Sequence, residues 1–321
     1  MKFGFFRWIG TNEKAIYDNK DLVPSTTNII FIVTLSLVLL TSLLLWIFKR
    51  QIHQIFVKRN LSLKTQAIIT RSIGAFMVTL MIIRIVMLGI TDYPRPWELI
   101  PLHFCRLIAL FVGVILLMNK PQWLKYFVAM AFLGAIIAFG TPDTKIAFVP
   151  KENITLSDQT LQAGKTYYAW ISYNNFSFWD FIIIHSLIIL IPVIFGILYP
   201  YNITFKDSLI TIAIFSGLLI FTFIINWTTD SIATDGDFTW KTNFFYTARD
   251  TNVNAFVIKP WPIVLLISII FGALYVFLAS GIFYVQDKLV FGKWFVRKQE
   301  SSKVFRDDLY ERLVVKFKKQ K

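Results

Sequence analysis

The chain carries one cysteine and three histidines, and two of those four residues stand together in the stretch Pro101-Leu102-His103-Phe104-Cys105. A thiolate is a strong nucleophile, and an imidazole is a common base for generating one. A lone Cys beside a His at the mouth of an apolar segment has two readings. Cys105 is a small packing residue, or it is a nucleophile able to carry an acyl group. His103 precedes Cys105 by two positions, about 200° around an ideal helix, so the two side chains would diverge. His185, in a later apolar segment, is the easier source of a base. His103, Cys105 and His185 would also suit zinc, but no fourth ligand stands out, so neither a metal nor another cofactor is expected.

Other polar residues share the depth of this pair. Charged groups inside a bilayer are costly, so each asks for a reason. Arg84 lies in the same half of its apolar run, and Arg106 follows the cysteine. Asp143 ends one apolar run, Asp180 begins the next and Asn226 ends another. Pro260-Trp261-Pro262 opens the last run. Arg84, Asp143 and Asn226 are therefore candidate substrate-binding groups, with Arg84 suited to a lipid phosphate. Each residue also has a plain reading: Trp261 as part of an interfacial aromatic belt, and Asp143 and Asp180 as solvated helix-end groups. Their shared depth is what favours a site.

The elements that must position them are membrane helices. Apolar residues make up 56% of the 321-residue chain, and charges are scarce within the long runs. Runs of about the twenty residues that cross a bilayer are predicted near 28–48, 67–90, 100–118, 123–139, 180–199, 208–225 and 263–284. The third and fourth form an antiparallel hairpin about Asn119-Lys120-Pro121. The fold class is thus all-α: a polytopic membrane protein of about seven transmembrane helices. Segment 1–27 precedes the bundle, 28–285 forms it, and 286–321 is a tail. No short apolar leader with a cleavage site is visible in 1–27. No repeat at a fixed period is visible either, which argues against an inverted-repeat transporter.

Basic residues set the orientation. Lys49, Arg50, Lys58, Arg59 and Lys64 follow the first run, Lys120 and Lys125 lie in the hairpin turn, and segment 286–321 holds eleven Lys or Arg. With seven crossings these share one side, which makes the tail cytoplasmic and the N-terminus outside. The loops 140–179 and 226–262 then fall outside, as ordered caps. Residues 165–171 have strand character and suit a small hairpin. Of the net charge of +14, +6 lies in the 36-residue tail beside the last apolar run, so the expected partners are membrane lipids and anionic headgroups, not nucleic acid. Val304, Phe305, Leu309, Leu313, Val314 and Phe317 recur at helical spacing there, consistent with a basic amphipathic helix. The sequence leaves the oligomeric state open.

The stretch Ile100-Pro101-Leu102-His103-Phe104-Cys105 resembles the Leu-Pro-Leu-His-Leu-Cys pattern of the YwaF-like family of bacterial integral membrane proteins. Thr141-Pro142-Asp143, His185, Asn226 and Pro260-Trp261-Pro262 follow in the same order, so the resemblance covers about residues 98–265. Animal relatives of that family are described as phospholipid acyltransferases that form a cysteine thioester. The resemblance implies Cys105 as the acyl-accepting nucleophile, His185 as its base and His103 as a further polar partner. It also implies a multi-pass protein of the cell membrane. The residues alone leave a second reading open, a non-catalytic transporter or a protein that binds a lipid or metabolite.

Overall fold

The apolar runs fold as long helices, and the polar segments between them fold as short strands and turns. The structure, a computed structural model, describes residues 4–7, 16–17, 25–91, 93, 95–140, 142, 145–150, 152–155, 160–201, 203–232, 241–249 and 261–289. In chain order the elements are β1 (Ile16–Tyr17), α1 (Ser25–Ile47), α2 (Lys49–Lys58), α3 (Leu63–Ile90), α4 (Phe104–Leu117), α5 (Val128–Gly140), β2 (Lys145–Phe148), β3 (Ile154–Thr155), β4 (Thr160–Leu161), β5 (Tyr167–Trp170), α6 (Phe176–Leu198), α7 (Phe205–Ile232) and α8 (Ile263–Leu289). Asp143 and the tail from residue 290 onward lie outside the described residues.

Six stretches among the described residues are long and apolar enough to cross a membrane: 27–47, 63–90, 96–117, 176–198, 205–232 and 263–283. The fourth predicted run, 123–139, is divided. Pro121–Tyr126 forms a 3-10 turn and α5 has 13 residues. At about 2.0 Å per residue for the turn and 1.5 Å for the helix, the two pieces together span roughly 30 Å, the thickness of a hydrocarbon core. The sheet supports counting this composite as a crossing. β1, ahead of α1, pairs antiparallel with β5, beyond α5, so both lie on one face. That requires an even number of crossings between them, and α1, α3, α4 and α5 supply four.

The chain between α1 and α3, where basic residues were expected merely to flank helices, forms α2. It packs on α6: His53 Nδ1 lies 2.9 Å from the Ile197 carbonyl, and the Phe56 and Tyr199 rings meet edge to face. At the other face β5 pairs with both β1 and β2 in a three-stranded sheet, and β3 pairs with β4. The Asn175 side chain caps α6 by accepting from Ser177 N at 2.7 Å, and it donates to the Arg7 carbonyl. The segment ahead of α1 is thereby tied to the start of α6.

Helices α4 and α6 are central: 44% and 50% of their most apolar windows is buried, against 11% for α1 and 17% for α8. The exposed Ile, Leu, Val and Phe of the outer helices are a lipid-facing surface. Inside, close approach relies on glycine. A Cβ on Gly74 of α3 would lie 2.5 Å from Leu117 N and 2.7 Å from the Gly113 carbonyl of α4. This contact packs α3 directly on the backbone of α4, the helix that carries Cys105.

Candidate functional site

Pro101 and the extended His103 delay the start of α4, so His103 is its N-cap residue and Cys105 belongs to its first turn. Leu107 N donates to the His103 carbonyl in the first α-helical bond. The amides of Phe104, Cys105 and Arg106 therefore precede the helix ladder, as at any helix N-terminus. Because His103 is extended, the side-chain divergence expected for continuous helix does not apply.

Cys105 is part-buried and packs with Phe104 against α5, where Gly134 makes room for both. A Cβ on Gly134 would meet Cys105 Sγ and the Phe104 ring at 2.9 Å. His103 lies in an aromatic cluster, with ring centroids 5.2 Å from Trp97, 5.8 Å from Phe244 and 5.7 Å from Tyr246. Phe104 meets Phe245 at 5.0 Å. The turn Phe244–Tyr246 thus lies over the start of α4.

Asn226 holds that turn. Its Nδ2 donates to the Phe244 carbonyl at 2.8 Å and to Thr247 Oγ1 at 2.9 Å. Its Oδ1 accepts from Thr242 Oγ1 and Phe244 N, both at 2.9 Å. All four hydrogen-bonding positions of the amide are used. Phe245 and Tyr246 both have φ of 55°, a left-handed conformation costly for bulky residues. The fully used amide of Asn226 is the fixture that offsets this strain. It was expected as a substrate-binding group, and in the structure it positions the aromatic turn.

His185 is buried on α6. Its Nδ1 lies 2.6 Å from the Phe181 carbonyl, and a carbonyl only accepts, so Nδ1 carries a proton. In the neutral ring Nε2 keeps the lone pair, the form a general base requires. The imidazole rests on Phe181 at 4.1 Å and meets Phe139 of α5 at 5.9 Å. Gly134, under Cys105, and Phe139, beside His185, are five residues apart on α5, about 7.5 Å along its axis and 140° around it. The thiol and this imidazole therefore approach α5 from different sides, each in its own packing environment.

Between them lies a charge network that the sequence showed only in part. Arg84 is buried and fully engaged: Nη1 donates to the Glu98 carbonyl at 2.7 Å, Nη2 lies 3.5 Å from Glu98 Oε2, and Nε lies 3.3 Å from Asp180 Oδ2. Arg106 Nη2 meets the same Asp180 oxygen at 2.5 Å. Tyr93 donates to Glu98 Oε2 at 3.0 Å, and Arg95 pairs with Glu98 Oε1. Asp180 is 8% exposed, which corrects the plain reading of a solvated helix-end group. Glu98 and Trp97 were not singled out in the sequence; the near-invisible signal was an acid following the Arg95-Pro96 pair. Arg106 follows Cys105 on α4 and shares Asp180 Oδ2 with Arg84.

The structure thus joins Arg84 to Arg106 through Asp180 beside Cys105, sets His103 against the aromatic turn that Asn226 holds, and keeps His185 against Phe181 and Phe139. Among the described residues no three of His, Cys, Asp and Glu are grouped as a metal would require. Comparison with curated proteins and with solved structures returned no match. A family model described as the TMEM164 family matches residues 23–280, the whole helical bundle from α1 into α8. With the long apolar helices, the parity of the sheet and that match over most of its length, the chain is a multipass membrane protein and belongs to the TMEM164 family.

Proposed function

We propose that this protein is a lipid acyltransferase of the cell membrane that carries its acyl group on Cys105. The observation that carries the reading is the chain's single thiol on the first turn of α4, beside a buried arginine in a bundle whose interior is mostly apolar. The resemblance to YwaF-like proteins, whose animal relatives are described as thioester-forming acyltransferases, supports the same chemistry. In the first half-reaction Cys105 Sγ attacks the ester carbonyl of a donor phospholipid. The C–O bond breaks, the acyl group stays on sulfur, and the thiol proton leaves on the glycerol oxygen of the lysophospholipid. In the second, the hydroxyl of an acceptor lysolipid attacks the thioester. The C–S bond breaks, and the hydroxyl proton returns to the thiol.

His185 is the base that the resemblance implies, and the tautomer that leaves Nε2 with its lone pair supports the role. To serve Cys105 its ring must turn around α5 from its packing on Phe181 and Phe139. First-turn amides of α4 are suited to the oxyanion that forms on the carbonyl. The positive-inside bias puts this site on the outer face and the basic tail against anionic lipid of the inner leaflet. Asp143, which in the sequence ends an apolar run at the depth of Cys105, remains a candidate headgroup ligand.

The test is acyl-adduct formation on the purified protein with a phospholipid labelled in its acyl chain. An adduct on Cys105, released by neutral hydroxylamine and absent from Cys105→Ala, is expected. Cys105→Ser should turn over poorly, because a hydroxyl is far less ionised than a thiol near pH 7. Wild-type turnover by Cys105→Ser would overturn the thioester.

A further inference from the structure

Two arginines of the network, Arg84 and Arg106, meet Asp180, and they differ in how they are used. Each nitrogen of the Arg84 guanidinium has a protein partner. Among the described residues Arg106 has one, the Asp180 oxygen it shares with Arg84, while its Nη1 is buried with no hydrogen-bond partner among them. Arg106 is 8% exposed. A buried guanidinium nitrogen left unpaired is costly, and a single carboxylate oxygen divided between two cations leaves positive charge uncompensated. Both features point to an anion.

The position of Arg106 narrows the anion. It is adjacent to Cys105 on α4, with Cys105 directed to α5 and Arg106 to Asp180 of α6. In a glycerophospholipid the acyl ester and the phosphate hang from neighbouring or next-neighbouring glycerol carbons. A lipid placed with its ester carbonyl at Sγ therefore has its phosphate within the reach of the adjoining side chain. A guanidinium edge with two N–H donors matches two phosphate oxygens.

We infer that Arg106, through Nη1, binds the phosphate of the glycerophospholipid presented to Cys105, and that Asp180 positions its guanidinium by holding Nη2. The inference rests on the acyltransferase reading for the identity of the lipid, but its test does not need acyl transfer. A dialkyl phosphatidylcholine has the phosphate and no ester, so it binds without reacting. Its affinity for the purified full-length protein in detergent is measured against that of a dialkylglycerol, which lacks the phosphate.

Wild type should favour the phosphate-bearing lipid. Arg106→Gln should weaken that lipid about tenfold or more, as loss of a charge-assisted hydrogen bond does, and leave the dialkylglycerol unchanged. Arg106→Lys keeps a cation for Asp180, so it guards against a Gln variant that fails to fold. It should show a smaller weakening, still selective for the phosphate-bearing lipid. Equal weakening of both lipids, unchanged affinity in both variants, or equal competition by inorganic phosphate would overturn the inference. If Cys105 is never acylated yet the selective loss appears, the acyltransferase reading fails and the phosphate site stands. If Cys105 is acylated and the variants bind as wild type, the reverse holds.

Discussion

Each end of the helical bundle buries a histidine on a carbonyl and an aspartate on a cation, and the two ends treat them differently. At the end holding α2, both oxygens of Asp207 have their own partners. Oδ1 takes Lys125 Nζ at 2.7 Å, and Oδ2 takes Thr204 N at 2.9 Å and Thr204 Oγ1 at 2.7 Å. At the Cys105 end one oxygen of Asp180 serves two guanidiniums, and a nitrogen of Arg106 has no partner among the described residues. A closed set of partners fastens helices together. An open set leaves affinity available for something that arrives, and only the open set adjoins the thiol.

The comparison is most exposed at the two aspartates. Asp180→Asn would leave Arg84 and Arg106 buried without the charge they share, at a cost of roughly 3–5 kcal/mol. Asp207→Asn keeps a side-chain oxygen for the Thr204 cap and frees a lysine whose side chain is already 22% exposed, so its cost should be about 1–2 kcal/mol. Chemical unfolding of both variants in the same detergent measures the difference. Equal costs would show that the Asp180 network is no more strained than the other, and would remove the contrast.

Next in size is the clamp on the aromatic turn. Asn226→Ala strands two backbone groups of Phe244 and releases the left-handed Phe245 and Tyr246. A loss of roughly 2–4 kcal/mol is expected, with faster proteolysis within 242–247. If the turn matters because it covers His103 and Cys105, adduct formation on Cys105 should fall as well. Unchanged proteolysis with lower stability would mean that Asn226 serves α7 alone.

Much of this architecture was legible because the bilayer imposes lengths. Apolar runs of about twenty residues mark α1, α3, α6, α7 and α8 regardless of what they touch. The same rule misjudged the run 123–139, where Pro121 leads into a 3-10 turn that supplies part of the crossing. It also passed over α2, whose alternation of basic and apolar residues reads as a flank until α6 is there to receive Phe56 and His53. At the site, His103, Cys105, His185 and Arg84 were visible as polar residues at one depth. Their partners were not. Asp180 is 96 residues from Arg84 and 74 from Arg106, and no local pattern announces a pairing at such separations. Asn226 was visible, but its work depends on a turn 16–21 residues further on.

The smallest expected effect tests the closed end by itself. Lys125 also lies over the Tyr126 ring at 4.9 Å, so its ammonium joins the α4–α5 connection to the start of α7. Because the pair is partly exposed and screened, Lys125→Met should cost only about 1 kcal/mol at low salt, and less in high salt. A cost near that of Asp180→Asn would mean that closed pairs in this bundle carry as much energy as the open one. The unpaired Arg106 nitrogen would then need another explanation than a ligand.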